Sequence, residues 1–541
     1  MARRLAWVSG LALALSSAPA LAQSAVPSAS EAVAPRTTLL LHTDRPGPRI
    51  APEIYGQFVE HLGRGVYEGI WVGEDSQIPN TRGIRNDVTR ALRQVKVPAI
   101  RWPGGCFADG YHWRDGIGPR AKRPRSINAA WGNTPDRNAF GTHEFMDFLG
   151  QIGAKSFISV NVGSGSVREA DEWLRYMTAP AESSAGAERA ANGHAAAWDV
   201  PYVGVGNESW GCGGNMTPET YVAQYRQYAA NIRTFHGDPV KLIAVGADTD
   251  DYEWTEKVMA GAMKWRPNPT PLAYIDTKPL MWGLSLHFYT FTGNDWYAKG
   301  RNVGFTRDDW AKALGRAQLT DEMVRRHAAI MDRYDPEKKV ALVVDEWGAW
   351  FNSEKDAPSA LYLESTLRDA VIAGLSLNIF NNHADRVRMA NIAQMVNVIQ
   401  SLILTRGKEM VVTPTWHVFD LYKVHQGATQ VPVDVDTPDY VQGTTHLPTV
   451  SASASRDAAG KLHVSIVNLD PDKPAPVEMV ATGLSGRRAQ ASAITADRID
   501  RKVEFGQPDP FLPQPVQGIA IDGDRLTLTV PARSVTMVTV E

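Results

Sequence analysis

Between residues 50 and 400 the chain alternates short apolar runs with amphipathic stretches, and no other feature constrains its fold as tightly. The strand-like runs fall at residues 54–58, 98–101, 157–162, 202–206, 242–246, 283–287, 340–345 and 376–380. Helical candidates fall between or after them, at 87–95, 143–152, 167–176, 218–235, 252–263, 321–334, 360–373 and 390–402. Eight strand–helix units in succession predict an α/β chain folded as a (β/α)8 TIM barrel. The alternative is a doubly wound open sheet, but no GxGxxG turn follows any early strand. In a barrel, chemistry collects where the strands give way to loops. Polar and aromatic residues gather just there: Glu60 and His61, Cys106, Asn161, Asn207 and Glu208, Asp248, His287 and Tyr289, Glu346 and Trp347, Asn381 and His383.

Beyond about residue 410 the texture changes. Alternating runs such as 462–467, 488–494 and 526–530, separated by Asp, Gly and Pro turns, predict antiparallel strands, and helical periodicity is absent. The expected layout is a catalytic barrel over residues 51–410 and a jelly-roll-like β-sandwich over 411–541. The segment 37–50 holds a strand-like piece at 38–41 available to pair into that sandwich, and residues 179–197 look like a surface insertion. With 541 residues, 43% of them hydrophobic, the chain can bury a substantial core. A net charge of -3 gives no electrostatic footprint for nucleic acid or an anionic membrane, so a neutral substrate fits better.

The first 22 residues read as a targeting segment. Arg3 and Arg4 precede an apolar run over 5–15, and Ala20-Leu21-Ala22 supplies a small-x-small cleavage signal. A signal peptide over 1–22 and a disordered, Ala/Ser/Pro-rich leader over 23–36 are expected. The protein would then be exported, periplasmic or extracellular, with no membrane contact after cleavage. An uncleaved anchor is the alternative, and the apolar run is short for it.

Two segments carry the chemistry: Gly204-Val205-Gly206-Asn207-Glu208-Ser209-Trp210 and Val343-Val344-Asp345-Glu346-Trp347-Gly348. Each is a small or β-branched run ending in a carboxylate, with a Trp one or two residues beyond. Such a run reads as a buried parallel strand with its Glu at the loop end. Two glutamates so placed are what an acid/base and nucleophile pair for glycoside cleavage requires. Either one taken alone reads better as a buried ion-pair partner of a barrel Arg or Lys; the two in this context do not.

The segments GQFVEHLGRGVYEGIW, RWPGGCFADGYHWRDGIGP, GVGNESWGCGGNMTPE, SLHFY, DEW and NNHADRVRMANIAQMVNVI, in that order from about residue 50 to the C-terminus, together resemble glycoside hydrolase family 51. That family is dominated by α-L-arabinofuranosidases. The resemblance implies a barrel followed by a β-sandwich and a retaining mechanism, with Glu208 as acid/base and Glu346 as nucleophile. It also implies that Asn207 donates to the sugar 2-hydroxyl, that Glu60 and Gln394 hold sugar hydroxyls, and that Tyr289 hydrogen-bonds the nucleophile. For Glu60 the competing reading is a salt bridge to Arg64, and for Gln394 an ordinary helix start. His287 orients its neighbours, since no metal-ligand spacing accompanies it, and no metal or cofactor is expected. Trp131 either stacks on sugar or packs in its loop.

Cys106 occupies a position that varies in the family, and with it in a loop at the same barrel mouth stands Cys212. A Cys106–Cys212 disulfide beside the sugar is expected for an exported chain, with two free thiols as the alternative. The leading function is exo-acting release of terminal arabinofuranose from arabinan, arabinoxylan or their oligosaccharides. The alternatives are an endo-β-1,4-glucanase or xylanase, and a non-catalytic carbohydrate-binding protein. Retention of Glu60, Asn207 and Gln394 favours a closed pocket, and retention of both Glu208 and Glu346 argues against a non-catalytic role. Arabinose-containing plant cell-wall polysaccharides are the expected partners, and the family's habit of forming trimers or hexamers makes a homo-oligomer conceivable.

Overall fold

The computed structural model describes residues 36–264, 281–293 and 296–541. Its centre is a closed barrel of eight parallel strands in chain order. They are β1 (Gly56–Phe58), β2 (Ala99–Trp102), β3 (Lys155–Val160), β4 (Tyr202–Val205), β5 (Lys241–Asp248), β6 (Met281–Thr290), β7 (Ala341–Ala349) and β8 (Val387–Ile392). Helices follow the strands: α1 (Asn86–Gln94), α2 (Thr142–Ile152), α3 (Val167–Thr178), α4 (Pro218–Asn231), α5 (Tyr252–Ala262), α6 (Arg307–Tyr334), α7 (Leu367–Asn382) and α8 (Pro414–Tyr422). The barrel lumen is filled, not hollow: Phe157, Tyr202, Ile243, Ala341, Val343 and Met389 form their own buried cluster. Inward residues of five different strands meet there, as a barrel's layered packing requires.

Seven of the eight expected strands overlap observed ones. The eighth does not. Residues 376–380 lie within α7, and the closing strand is Val387–Ile392, inside and just before the stretch expected to be helical at 390–402. The physical reason is that α7 is buried along nearly its whole length, packed between barrel and sandwich. A helix buried on all sides shows no 3.6-residue apolar stripe, so its SLNIF segment mimics a buried strand. The residues after β8 run through bends and turns, and Gln394 N donates to Ile399 O at 2.6 Å.

The C-terminal region is mostly antiparallel, in one six-stranded and one five-stranded sheet. Thr37–Leu41 joins the five-stranded sheet, antiparallel to Val433–Asp436 and parallel to Ala475–Val480. The sandwich has its own core, built on Leu39, Val464, Ile466, Val477, Leu528 and Val538. One helix departs from the all-strand expectation beyond residue 410: α8, capped by the Thr413 side chain, with Pro414 in its first turn. The 179–197 insertion carries a further helix, Ser184–Ala191, and its Arg189 is buried rather than superficial, donating to the carbonyls of Tyr176 and Ala179 at 2.8 Å.

The seam between barrel and sandwich is hydrogen-bonded as well as apolar. Asn378 Oδ1 on α7 accepts from Ser465 Oγ at 2.7 Å and Tyr422 OH at 3.0 Å, and Tyr55 OH donates to Asn381 Oδ1 at 2.9 Å. Buried polar groups paired in this way fix α7 against both layers. Among the described residues, no helix is long and apolar enough to cross a membrane.

Candidate active site

The C-terminal strand ends bring together most of the residues singled out above. Glu346 lies within β7, and the parallel register of β6 and β7 sets His287 directly beside it, with a local irregularity between Ser285 and His287. Glu208 follows β4 in a turn and adopts a φ of 39°, in the left-handed region that costs a non-glycine residue of order 1 kcal/mol or more. That turn carries its side chain over the barrel mouth. One oxygen of Glu208, one of Glu346 and a ring nitrogen of His287 lie within 4.8 Å of one another.

Each Glu346 oxygen has a donor. Oε1 accepts from Arg101 Nη1 at 2.8 Å, and Oε2 from Tyr289 OH at 2.6 Å. Arg101 also donates through Nη2 to Asn207 Oδ1 at 2.6 Å and approaches Asp345 through Nε at 3.3 Å. With Oδ1 of Asn207 taken, its Nδ2 is the remaining donor, facing only the Cys212 sulfur at 3.6 Å. His287 turns Nδ1 to Glu208 Oε1 at 2.9 Å and Nε2 to Asp345 Oδ1 at 3.2 Å. The Glu208, His287 and Glu346 trio is close enough to grip a cation, yet its atoms are already engaged with one another, with Arg101 and with Tyr289. It is a hydrogen-bonded cluster rather than an open ligand set.

The charges follow from these contacts. Burial pushes the Glu208 carboxyl up, the His287 hydrogen bond pulls it down, and the nearby Glu346 charge pushes it up again; the net is a raised pKa. Burial opposes the charged form of His287, but Glu346 and Asp345 outweigh it and hold the imidazole pKa well above its ordinary value. Burial also works against the Asp345 carboxylate, and Arg101 and His287 overcome it, leaving its pKa lowered.

Glu60 is buried and forms the opposite wall. Its Oε1 accepts from Phe107 N at 2.9 Å and its Oε2 from Gln394 Nε2 at 3.2 Å. Burial raises it to about 7, although the Phe107 amide pulls the other way. The salt bridge to Arg64 does not form, because Arg64 pairs with Glu68 at 2.7 Å. Gln394 thus lies beside Glu60 in a segment of bends and turns, not at the start of a helix. Two polar atoms here are buried without a hydrogen-bond partner, Gln394 Oε1 and Trp131 Nε1. Such orphans are expected where a ligand completes the bonding. Gly105 sits between the two carboxylates: a Cβ there would fall 3.1 Å from Glu346 Oε1 and 3.4 Å from Glu60 Oε1, so glycine keeps that space open.

Cys106 and Cys212 are bridged, with Cα atoms 5.5 Å apart, and the Cys212 sulfur lies 3.5 Å from Glu208 Oε2. A cavity of about 440 Å³ lies against the disulfide, and a second of about 340 Å³ runs past Trp131 and His61. The hairpin of Ser126–Asn128 and Thr134–Asp136 contributes to both. A wider hollow of about 710 Å³ around His143 and Trp198 shares no residue with this site.

Arg101 and Asp345 carried no sequence expectation of their own, although both stand in quoted motifs. The available signal was a charge embedded in an apolar strand, since a buried Arg needs carboxylates around it.

The comparisons with known proteins bear on the family and the fold. A model of the α-L-arabinofuranosidase 1 domain matches residues 91–278, and one of the α-L-arabinofuranosidase C-terminal domain matches residues 345–534. The chain is 43% identical to an intracellular exo-α-L-arabinofuranosidase of Bacteroides ovatus, over 92% of this chain and 94% of that one. It is 30% identical to α-L-arabinofuranosidase C of Emericella nidulans, over 82% of this chain and 87% of the relative. Among solved structures, the family GH51 arabinofuranosidase of Xanthomonas axonopodis pv. citri superposes with a TM-score of 0.89 at 45% identity, covering 94% of this chain and all of that one. The Bacteroides relative is named as intracellular, which corrects the export expected from residues 1–22. That segment lies outside the described residues.

Proposed function

This chain belongs to glycoside hydrolase family 51, and from that premise we propose that it is a retaining, exo-acting α-L-arabinofuranosidase with Glu346 as nucleophile and Glu208 as acid/base. Its substrates are terminal arabinofuranosyl units on arabinan, arabinoxylan or their oligosaccharides. The observation that carries the mechanism is the approach of Glu208 and Glu346 oxygens to within 4.8 Å. Retaining enzymes hold their carboxyl groups about 5–5.5 Å apart, whereas inverting ones need about 6.5–9.5 Å to admit a water.

In the first step a Glu346 oxygen attacks the anomeric carbon as the bond to the leaving oxygen breaks. Arg101 and Tyr289 aim the carboxylate, one on each oxygen. Glu208 gives its proton to the departing alcohol. With His287 donating to Oε1 of Glu208, the proton to be transferred resides on Oε2. Forming the glycosyl ester removes the Glu346 charge that helps raise the Glu208 pKa. Glu208 then takes a proton from water, which attacks the anomeric carbon and releases Glu346.

Glu60, Gln394 and Trp131 present one carboxylate and two unsatisfied polar atoms to the sugar hydroxyls. Nδ2 of Asn207, with one N–H turned to the Cys212 sulfur, has a second N–H for the 2-hydroxyl. A set this close around one sugar supports a pocket for a chain end, against the endo-acting alternative. Hydrolysis of 4-nitrophenyl α-L-arabinofuranoside should exceed that of the β-xyloside by orders of magnitude, and carboxymethylcellulose should be inert. Comparable release from the cellulose would overturn the assignment.

A further inference from the structure

We propose that Asp109 is a positioning residue that fixes the acid/base turn by tying three barrel loops together; this rests on the role of Glu208 given above. Asp109 lies in the short turn Ala108–Gly110, three residues past the disulfide-bonded Cys106, and its side chain is buried. It makes no ion pair of 4 Å or less with any Lys, Arg or His among the described residues; its carboxylate accepts backbone N–H groups instead. Oδ1 takes Val162 N and Gly163 N, each at 2.8 Å, in the loop after β3. Oδ2 takes Asn207 N at 3.0 Å, in the turn after β4.

A buried carboxylate is costly unless such bonds compensate it, and burial does raise Asp109 to about 7. What it supplies is specific. The peptide entering Asn207 has left the strand and has no ladder partner, while the next residue is held at a φ of 39°. An N–H buried there without an acceptor would let the turn relax toward ordinary backbone angles. The bond to Asp109 therefore sets the peptide plane from which both the Asn207 side chain and Glu208 project. The disulfide ties the same two loops through side chains four residues past Glu208, so Asp109 holds the near end of the turn and Cys212 the far end.

Asp109 lines the cavity beside the disulfide and, among the described residues, its carboxylate has no hydrogen bond to Glu208, so its effect on the acid passes through the turn. A misplaced acid harms substrates that need a proton more than those that do not, and a displacement of about 1 Å can cost on the order of 100-fold. Asp109→Asn is isosteric but sets an NH2 group against N–H donors. In this variant kcat/KM for methyl α-L-arabinofuranoside should fall at least tenfold further than kcat/KM for 4-nitrophenyl α-L-arabinofuranoside. The ratio of the two does not depend on the fraction of folded enzyme.

Gly163→Ala tests the same point without altering the carboxylate, because its Cβ would lie 2.9 Å from Asp109 Cβ and displace it. A smaller change of the ratio in the same direction is expected. Glu208→Ala serves as the control and should show the largest change. If the control changes the ratio and both other variants leave it as in the unmodified enzyme, Asp109 is only a structural residue and the proposal fails. If the control leaves the ratio unchanged, the acid/base assignment itself is wrong and the proposal falls with it.

Discussion

His287 directs Nδ1 at Oε1 of Glu208 from 2.9 Å, so the proposed acid is hydrogen-bonded to a second titrating group. Burial is the largest influence raising the Glu208 pKa, and the His287 bond and charge oppose it. Removing the imidazole should therefore raise Glu208 further. The enzyme needs Glu208 protonated, so activity is lost as pH rises through its pKa, and a higher pKa moves that loss to higher pH. His287→Gln should shift the alkaline limb of kcat/KM upward and lower kcat about tenfold or more. A pH–rate profile on methyl α-L-arabinofuranoside checks this, and a limb that stays in place or moves down would contradict it.

Glu60 sets activity against stability. Its carboxyl is raised from 4.5 to about 7 by burial, so the folded state binds the proton more tightly than the unfolded state does. Its favourable contribution is complete below about pH 4.5 and is lost as pH rises through about 7. Glu60→Gln removes the burden of the buried charge, so the variant should gain roughly 3 kcal/mol in denaturant unfolding at pH 8 and little at pH 4. The same variant should lose about 1.5–3 kcal/mol of transition-state binding for the aryl arabinoside. Unchanged kcat/KM would make Glu60 structural only.

The Cys106–Cys212 bridge spans 106 residues of sequence, so reduction should destabilise the protein by about 2–5 kcal/mol through the freed unfolded chain. Because Cys212 borders Glu208, reduction should also lower kcat/KM on substrates with poor leaving groups. Denaturant unfolding with and without phosphine reductant measures the first effect. Two titratable thiols in unfolded, unreduced protein would rule the bridge out.

The barrel was largely readable in the chain, as was the gathering of the candidate residues at its mouth, and the failures share a cause. The strand ends at Glu208, Tyr289 and Glu346 were legible because polar residues follow buried runs. The eighth strand was not, since α7 is wrapped in protein and loses its polar face, while VRMANI in β8 carries Arg388 and Asn391 amid its apolar residues. Gln394 was assigned to the pocket by resemblance, yet its own neighbourhood read as helix. Arg101, Asp345 and Asp109 act through partners distant in sequence, and nothing local to them states which carboxylate or amide they will meet.

The division of labour between the two glutamates is tested most directly by azide rescue. Glu208→Ala, given 4-nitrophenyl α-L-arabinofuranoside, should still form the covalent intermediate, because the leaving group departs without a proton. Hydrolysis of that intermediate lacks its base and should be slow, and azide, which needs none, should restore turnover. The product should be the arabinosyl azide of retained configuration, while Glu346→Ala stays inert towards retention. Rescue of Glu346→Ala instead, giving the arabinosyl azide of retained configuration while Glu208→Ala gives none, would reverse the two roles and contradict the mechanism.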